Sequence, residues 1–221
     1  MIVADSSSVI SMAMNCLSRV IPELGVRIYV TPGVKQEILT RPMNIKRFAL
    51  EAYRIKSLFD EGNIAVSEPD QKLVGELMEE ANSIYQIKGK PIKVIHEGES
   101  EALALVKQHG AEALLIDERT TRFLIEDPHE LRRLLEYRLN KGVTLDEGEL
   151  KDFFALMPKV PVIRSTEVAY MAFEKGLIEE LAGESRRHSL ESLLSALKFS
   201  GCAISWEEID EYKQAVSAPA Q

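Results

Sequence analysis

Residues 97–117, Glu97-Gly98-Glu99-Ser100-Glu101-Ala102-Leu103-Ala104-Leu105-Val106-Lys107-Gln108-His109-Gly110-Ala111-Glu112-Ala113-Leu114-Leu115-Ile116-Asp117, decide the fold class. Acids crowd the front of the stretch, where a helix N-terminus favours negative charge. An apolar helix then reads from Ala102 to Gln108, and Gly110 ends it. Ala113-Leu114-Leu115-Ile116 has no polar alternation, which marks a strand covered on both faces, and it finishes at Asp117. A helix joined to a buried strand by a few residues is half of a βαβ unit, so its neighbours should repeat the pattern.

They do. Upstream, Ile2-Val3-Ala4 reads as a strand, Asp5-Ser6-Ser7-Ser8 as a turn rich in N-cap residues, and Val9 to Ile21 as a helix. Val26 to Val30 gives a second strand. Thr31 before Pro32 reads as an N-cap with proline at the first helical position, opening a helix through Leu39. Amphipathic helices are expected from about Ile45 to Phe59 and from about Gln71 to Tyr85, with a strand at Ile64 to Val66 between them. Gly89-Lys90-Pro91 breaks the helical pattern.

Downstream, about Asp127 to Leu156 is charged, helical and strand-poor, and reads as a helical insertion rather than a separate domain. Val160 to Ile163 returns to the sheet. Further helices are expected from Ser165 to Lys175 with Gly176 as its C-cap, from Leu190 to Phe199, and from the capping box Ser205-Trp206-Glu207-Glu208 to about Ala215. Ser217 to Gln221 reads as a frayed tail. The class is α/β with a parallel sheet, one domain over 1–221. Its motifs fill 1–125, the insertion about 127–158, and the returning strand and closing helices 159–216.

The composition limits function. At 221 residues and 45% hydrophobic, the chain can bury a real core, which excludes disordered, collagenous and disulfide-rich classes. No apolar run approaches the ~20 residues a bilayer span needs. Met1 to Asp5 lacks a basic segment, so no secretory signal and a cytoplasmic location are expected. Cys16 and Cys202 form no metal-type pair and read as small core residues in a reducing compartment. A formal charge of -8 argues against coating nucleic acid by bulk charge. It leaves room for an enzyme that gathers acids around a cation.

In a parallel α/β sheet, ligands sit outside the carboxyl ends of the strands. Asp5 and Asp117 both lie at such ends. Glu99 precedes Asp117 by 18 residues; a helix of about 11 residues descends ~16 Å and the strand climbs back about as far, so both reach one edge. Glu37 lies one to two turns from that edge. Four carboxylates can therefore converge on one crevice. Hard oxygen donors suit Mg²⁺ or Mn²⁺, and the chemistry that uses them is metal-assisted phosphodiester hydrolysis. Taken singly, Asp5 could cap a helix, Glu97, Glu99 and Glu101 could answer the helix dipole, and Glu37 could be solvated. Asp117, ending a buried strand before Glu118-Arg119-Thr120-Thr121-Arg122, is the less ordinary placement, and the joint pattern outweighs each member.

These blocks resemble the PIN-domain family, nucleases that include VapC-type toxins and many archaeal proteins. The likeness lies in hydrophobic-Asp5-Ser6-Ser7, in Thr31-Pro32-Gly33-Val34-Lys35-Gln36-Glu37, in Gly98-Glu99-Ser100-Glu101-Ala102-Leu103-Ala104-Leu105, and in Leu114-Leu115-Ile116-Asp117-Glu118-Arg119-Thr120-Thr121-Arg122. A weaker likeness returns in Lys175 to Ile178 and in Leu193 to Gly201. The resemblance implies a three-layer α/β/α sandwich and a metal-dependent ribonuclease, with Asp5, Glu37, Glu99 and Asp117 holding Mg²⁺ or Mn²⁺. Ser6 or Ser7 would orient a metal water or ligand. Glu101 rivals Glu99; side chains two apart on a helix point ~200° apart, so one is expected to face the site. Glu118 stands where the family has a second acid, and family toxins are shorter, which separates the nuclease fold from toxin identity.

For the RNA substrate, Lys35, Arg41, Lys46, Arg47, Arg54 and Lys56 form a band beside Glu37 that could track phosphates. The same band could be a solvated face neutralised by Glu51 and Asp60. Arg119 and Arg122 could meet a phosphate near the site or pair with Glu118 and Glu126. Aromatics are not interleaved with the basic residues, so base stacking is not indicated. His96 in its loop has no required role, and Trp206 reads as a packing residue or an interface anchor. The alternatives are a toxin-like protein masked by an antitoxin-like partner, and a non-catalytic scaffold; a homodimer is expected from the family alone.

Overall fold

The computed structural model describes residues 1–23, 25–157, 159–178 and 185–216. From the start, β1 (Ile2–Ala4) leads through α1 (Ser6–Met14) and α2 (Val20–Glu23) to β2 (Ile28–Val30). α3 (Pro32–Lys35) runs on into a π-helical turn (Gln36–Thr40) and a 3₁₀ turn (Pro42–Asn44), before α4 (Ala49–Asp60) and β3 (Ile64–Val66). Next come α5 (Gln71–Ser83), β4 (Tyr85–Ile87), β5 (Lys90–Pro91), α6 (Glu97–His109) and β6 (Ala113–Leu115). The chain continues through α7 (Arg119–Glu126), α8 (Pro128–Leu139), β7 (Thr144–Leu145), α9 (Glu147–Leu156) and β8 (Val162–Ile163). It closes with α10 (Ser165–Glu174), α11 (Arg186–Phe199) and α12 (Trp206–Ala215).

The main sheet has the order β3-β2-β1-β6-β8, and every pairing in it is parallel. Side chains alternate across it, as the pleat requires. Ile2, Ala4, Ile28, Val30 and Leu115 face one core with Met12 of α1, Ile55 of α4, Ala169 of α10 and Leu194 of α11. Val3 and Leu114 face the other with Leu77 of α5, Leu103 of α6, Leu131 of α8 and Phe153 of α9. Helices thus cover both faces, which is why the strands read as continuous apolar runs. The fold is the expected α/β/α sandwich.

Several boundaries differ from the sequence reading. The helix expected through Ile21 stops at Met14. The Asn15 side-chain amide donates to the carbonyl of Ser11 and to Ser200 Oγ, both at 2.8 Å, and Cys16 takes a left-handed φ of 60°. Cys16 is therefore exposed rather than in the core, whereas Cys202 is buried. The helix expected from Ile45 begins only at Ala49, because residues 42–44 form a 3₁₀ turn. The break at Gly89 proves to be a hairpin: Lys88 and Gly89 both have positive φ, which a two-residue turn between right-twisted strands demands. Tyr85 belongs to its first strand rather than to α5.

The segment expected as a helical insertion also contributes a strand. β7 pairs antiparallel with β4, making a second sheet of order β5-β4-β7, while α9 packs on α5. A two-residue strand has no period to read. The expected tail, 217–221, lies outside the described residues. No described helix is long and apolar enough to cross a membrane.

The closing helices are fastened by Arg164, which is buried between β8 and α10. Its Nη1 donates to the carbonyl of Ala203 (3.0 Å) and to Glu208 Oε1 (2.8 Å), and its Nε donates to Glu167 Oε1 (3.0 Å). Tyr212 donates its hydroxyl to the same Glu167 oxygen at 2.7 Å. Burial pushes the Glu167 carboxyl upward, but the Arg164 bonds and charge, with Tyr212, hold it below its ordinary value. Removing Arg164 leaves two carboxylates, each about a third exposed, without their partner, at a cost of about 2 kcal/mol. Arg164→Met should therefore lower Tm by roughly 4–8 °C in a calorimetric scan. An unchanged Tm would show that the network holds nothing.

Candidate functional site

The carboxyl edge of the sheet is where α1, α3, α7 and α10 begin, and each start needs a hydrogen-bond acceptor. Asp5 supplies it for α1. Its Oδ1 accepts from the Ser8 amide (3.1 Å) and hydroxyl (2.9 Å), and its Oδ2 accepts from the Ser7 hydroxyl (2.7 Å). The Asp5 amide donates to the Leu115 carbonyl at 3.1 Å, which ties this residue to β6 as well. Thr31 caps α3 through Val34 (3.2 Å), and Glu118 caps α7 through the amides of Thr120 and Thr121 (both 2.7 Å). Asp5 is thus a helix cap, as one sequence reading allowed. A cap uses only part of a carboxylate's acceptor capacity.

Beside it opens a cleft of about 490 Å³, lined by Asp5, Ser6, Thr31, Gly33, Glu37, Arg41, His96, Glu97, Glu99 and Glu101, among others. Three of the four expected acids meet here, with Glu101. The expectation that only Glu99 or Glu101 faces the site does not hold, since both line the cleft. They lie on the first turns of α6, where no preceding turn screens a long side chain. Glu99 is partly engaged, accepting the His96 amide at 3.0 Å. Glu101 makes no hydrogen bond or ion pair among the described residues, and its Oε2 lies 3.4 Å from where a Cβ on Gly33 would stand.

Asp117 stands behind this wall. It is buried, does not line the cleft, and has both oxygens held at 2.7 Å, by the amide and the hydroxyl of Ser165. Its charge still reaches Asp5. Burial chiefly, and Asp117 to a smaller degree, raise the Asp5 carboxyl to about 6 against the hydrogen bonds from Ser7 and Ser8. Among the described residues, no three acidic, histidine or cysteine side chains are close enough to form a ready-made cage. The four-carboxylate convergence is therefore looser than expected, because Asp5, Glu99 and Asp117 each answer a local donor. Such a set still suits Mg²⁺, which is commonly held by one or two carboxylates and completes its shell with water and phosphate oxygens.

The basic residues fall otherwise than the sequence suggested. None of Lys35, Lys46, Arg47 and Arg54 lines the cleft. Lys35 sits over the Phe59 ring (5.6 Å) and Arg47 over Phe48 (5.3 Å). Arg54 donates to the Ala13 carbonyl at 3.2 Å, holding the end of α1. Lys46 is exposed, and Lys56 pairs with Asp60. Arg41 alone of that band reaches the cleft, where it also donates to Gln36 at 3.4 Å. Arg119 and Arg122 are not in the lining either; Arg122 is buried, with its Nε 3.8 Å from Glu126. Ser8 and Ser165 are the residues the sequence reading passed over. Ser165 follows a strand end, the one signal that could have found it.

The state of Asp5 gives stability a defined pH dependence. Its native carboxyl binds a proton more tightly than the unfolded one, whose ordinary value is 3.8. Stability is thus favoured below that value and falls as pH rises from about 4 to about 6. Asp5→Asn should raise Tm by a few degrees at pH 7.5 without divalent ions, and the gain should vanish near pH 4. Melting curves across that range check it; a gain independent of pH would contradict it.

A family model described as a PIN domain matches residues 1–126, from β1 through α7. No curated protein and no solved structure matches the chain. The matched residues exceed half of the 221, and they include Asp5, Glu37, Glu99 and Asp117, at the edge where the sheet opens. With this sheet order and these acids in place, the chain belongs to the PIN-domain family.

Proposed function

We propose that this protein is a Mg²⁺- or Mn²⁺-dependent endoribonuclease that hydrolyses RNA phosphodiester bonds in the Asp5 cleft. PIN domains are generally nucleases. The observation that carries the finer reading is the cleft itself. Asp5, Glu37, Glu97, Glu99 and Glu101 are set against Arg41, with the charge of Asp117 reaching Asp5 from behind. Such a wall would repel a phosphodiester without a cation between them.

A bound Mg²⁺ or Mn²⁺ would supply charge neutralisation at the phosphoryl oxygens and a more acidic water. Asp5 is the residue to hold it, oriented by Ser7 and Ser8, with Asp117 as the neighbouring acid. Glu37 and either Glu99 or Glu101 would complete the donor set through water, and one of these carboxylates would accept the proton of the attacking water. Ser6, on the same wall, would hydrogen-bond a water or a phosphate oxygen. Arg41 would meet a nonbridging oxygen and fix the scissile group.

A second reading has its own observation. An apolar groove of about 380 Å³ adjoins the cleft and shares Glu37 and Arg41 with it. Ile10, Ile38 and Ile55 line it together with the exposed Met14, Ile45 and Phe48. A toxin-like protein masked by an antitoxin-like partner, or a homodimer, would cover this face.

Cleavage of labelled single-stranded and structured RNA in Mn²⁺ tests the main reading. Asp5→Asn and Asp117→Asn should each cut the rate by about 100-fold or more, and chelation should abolish it. Full activity in both variants would overturn the assignment. An intact fold that binds no divalent ion would favour a non-catalytic scaffold.

A further inference from the structure

Asp117 lies within the family-matched segment, but the groups that hold it come from beyond residue 126. The Ile116 amide donates to the Ile163 carbonyl at 2.8 Å, so β6 and β8 leave the sheet side by side. This brings Ser165, the first residue of α10, against Asp117. The Ser165 amide donates to Oδ1 and its hydroxyl to Oδ2, each at 2.7 Å. From the other side the Ala203 amide donates to the Asp117 backbone carbonyl at 3.1 Å. Asp117 is 1% exposed and Ser165 0%.

Two short bonds to two different oxygens fix the carboxylate plane, and each oxygen keeps acceptor capacity for another partner. Ser165 cannot drift, because the preceding Arg164 is locked to Glu167, Glu208 and the Ala203 carbonyl. Mutating the partners that orient the groups around a metal site typically costs about 10- to 100-fold in metal affinity.

We propose that Ser165 is the positioning residue for Asp117. It fixes the carboxylate behind the cleft wall, next to Asp5, where its charge bears on the divalent-ion site, so that the closing helices complete a site that residues 1–126 only begin. This rests on the metal-dependent reading given above. Ser165 touches neither substrate nor cation; it acts through Asp117.

The test is Mn²⁺ titration of the full chain by calorimetry, with the electron paramagnetic resonance spectrum of bound Mn²⁺ as a second readout. Ser165→Ala keeps the amide bond and loses the hydroxyl, and should bind Mn²⁺ about tenfold more weakly with an altered spectrum. Thr166→Val removes the neighbouring buried hydroxyl, which bonds to Glu167 and Cys202 rather than to Asp117, and should bind as the wild type does. Wild-type affinity and spectrum in Ser165→Ala would overturn the proposal. So would equal losses in both variants, since that assigns the effect to packing. Weakened binding by Asp5→Asn beside unchanged binding by Ser165→Ala would remove the role of Ser165 and leave the metal-dependent reading standing. A wild type that binds no Mn²⁺ would overturn both.

Discussion

The pairing of β1 with β2 on one side and β6 on the other sets the other positions in the structure. Val3 and Ala4 are fully buried, one against each helical layer, so β1 has no face or edge to give to solvent. A parallel strand in that position can release polar chemistry only at its ends. At the carboxyl end stands Asp5, whose amide is bonded to β6 and whose carboxylate starts α1. Register, layer and acid therefore come from a single residue sequence, Ile2-Val3-Ala4-Asp5. The cleft follows from the sheet rather than from any loop built for it.

The same edge carries an electrostatic cost. Asp5 faces burial and the charge of Asp117, with Ser7 and Ser8 as the opposing donors. The serines do not fully offset the burial, which leaves the carboxyl raised to about 6. Retaining an unfavourable charge at an open cleft is a feature of functional sites more than of structural ones. Asp117 is treated differently, sealed and bonded at both oxygens by Ser165. One acid is half-buried at the cleft, the other closed and fixed. The pair divides exposure from orientation.

Much of this was legible in the chain. The long apolar segments around Val3, Leu105 and Leu114 carried the parallel sheet and both helical layers, because burial on two faces erases alternation. The capping box at Ser205 and Glu208 forms as its residues predict, with bonds of 3.0 and 2.8 Å. What escaped was short or distant. The strand Thr144–Leu145 is too brief to show a period, and the hairpin at Lys88-Gly89 depends on two positive φ angles that Gly89 only half signals. Position alone indicated that Asp5, Glu37 and Glu99 meet at one cleft, but not which donors hold each acid. Lys35, Arg47 and Arg54 looked like a phosphate track, and the fold turns them onto Phe59, Phe48 and the end of α1. Ser165 is 48 residues from Asp117, and only tertiary structure makes them neighbours.

The decisive measurement is on crystals grown with Mn²⁺ and recorded at a wavelength where manganese scatters anomalously. An anomalous peak is expected in the cleft within bonding distance of Asp5, with Glu37 and either Glu99 or Glu101 of the cleft lining reaching it directly or through water. A cleft without a peak at millimolar Mn²⁺, or manganese held only at surface acids such as Glu76 and Glu149, would contradict the metal-dependent reading.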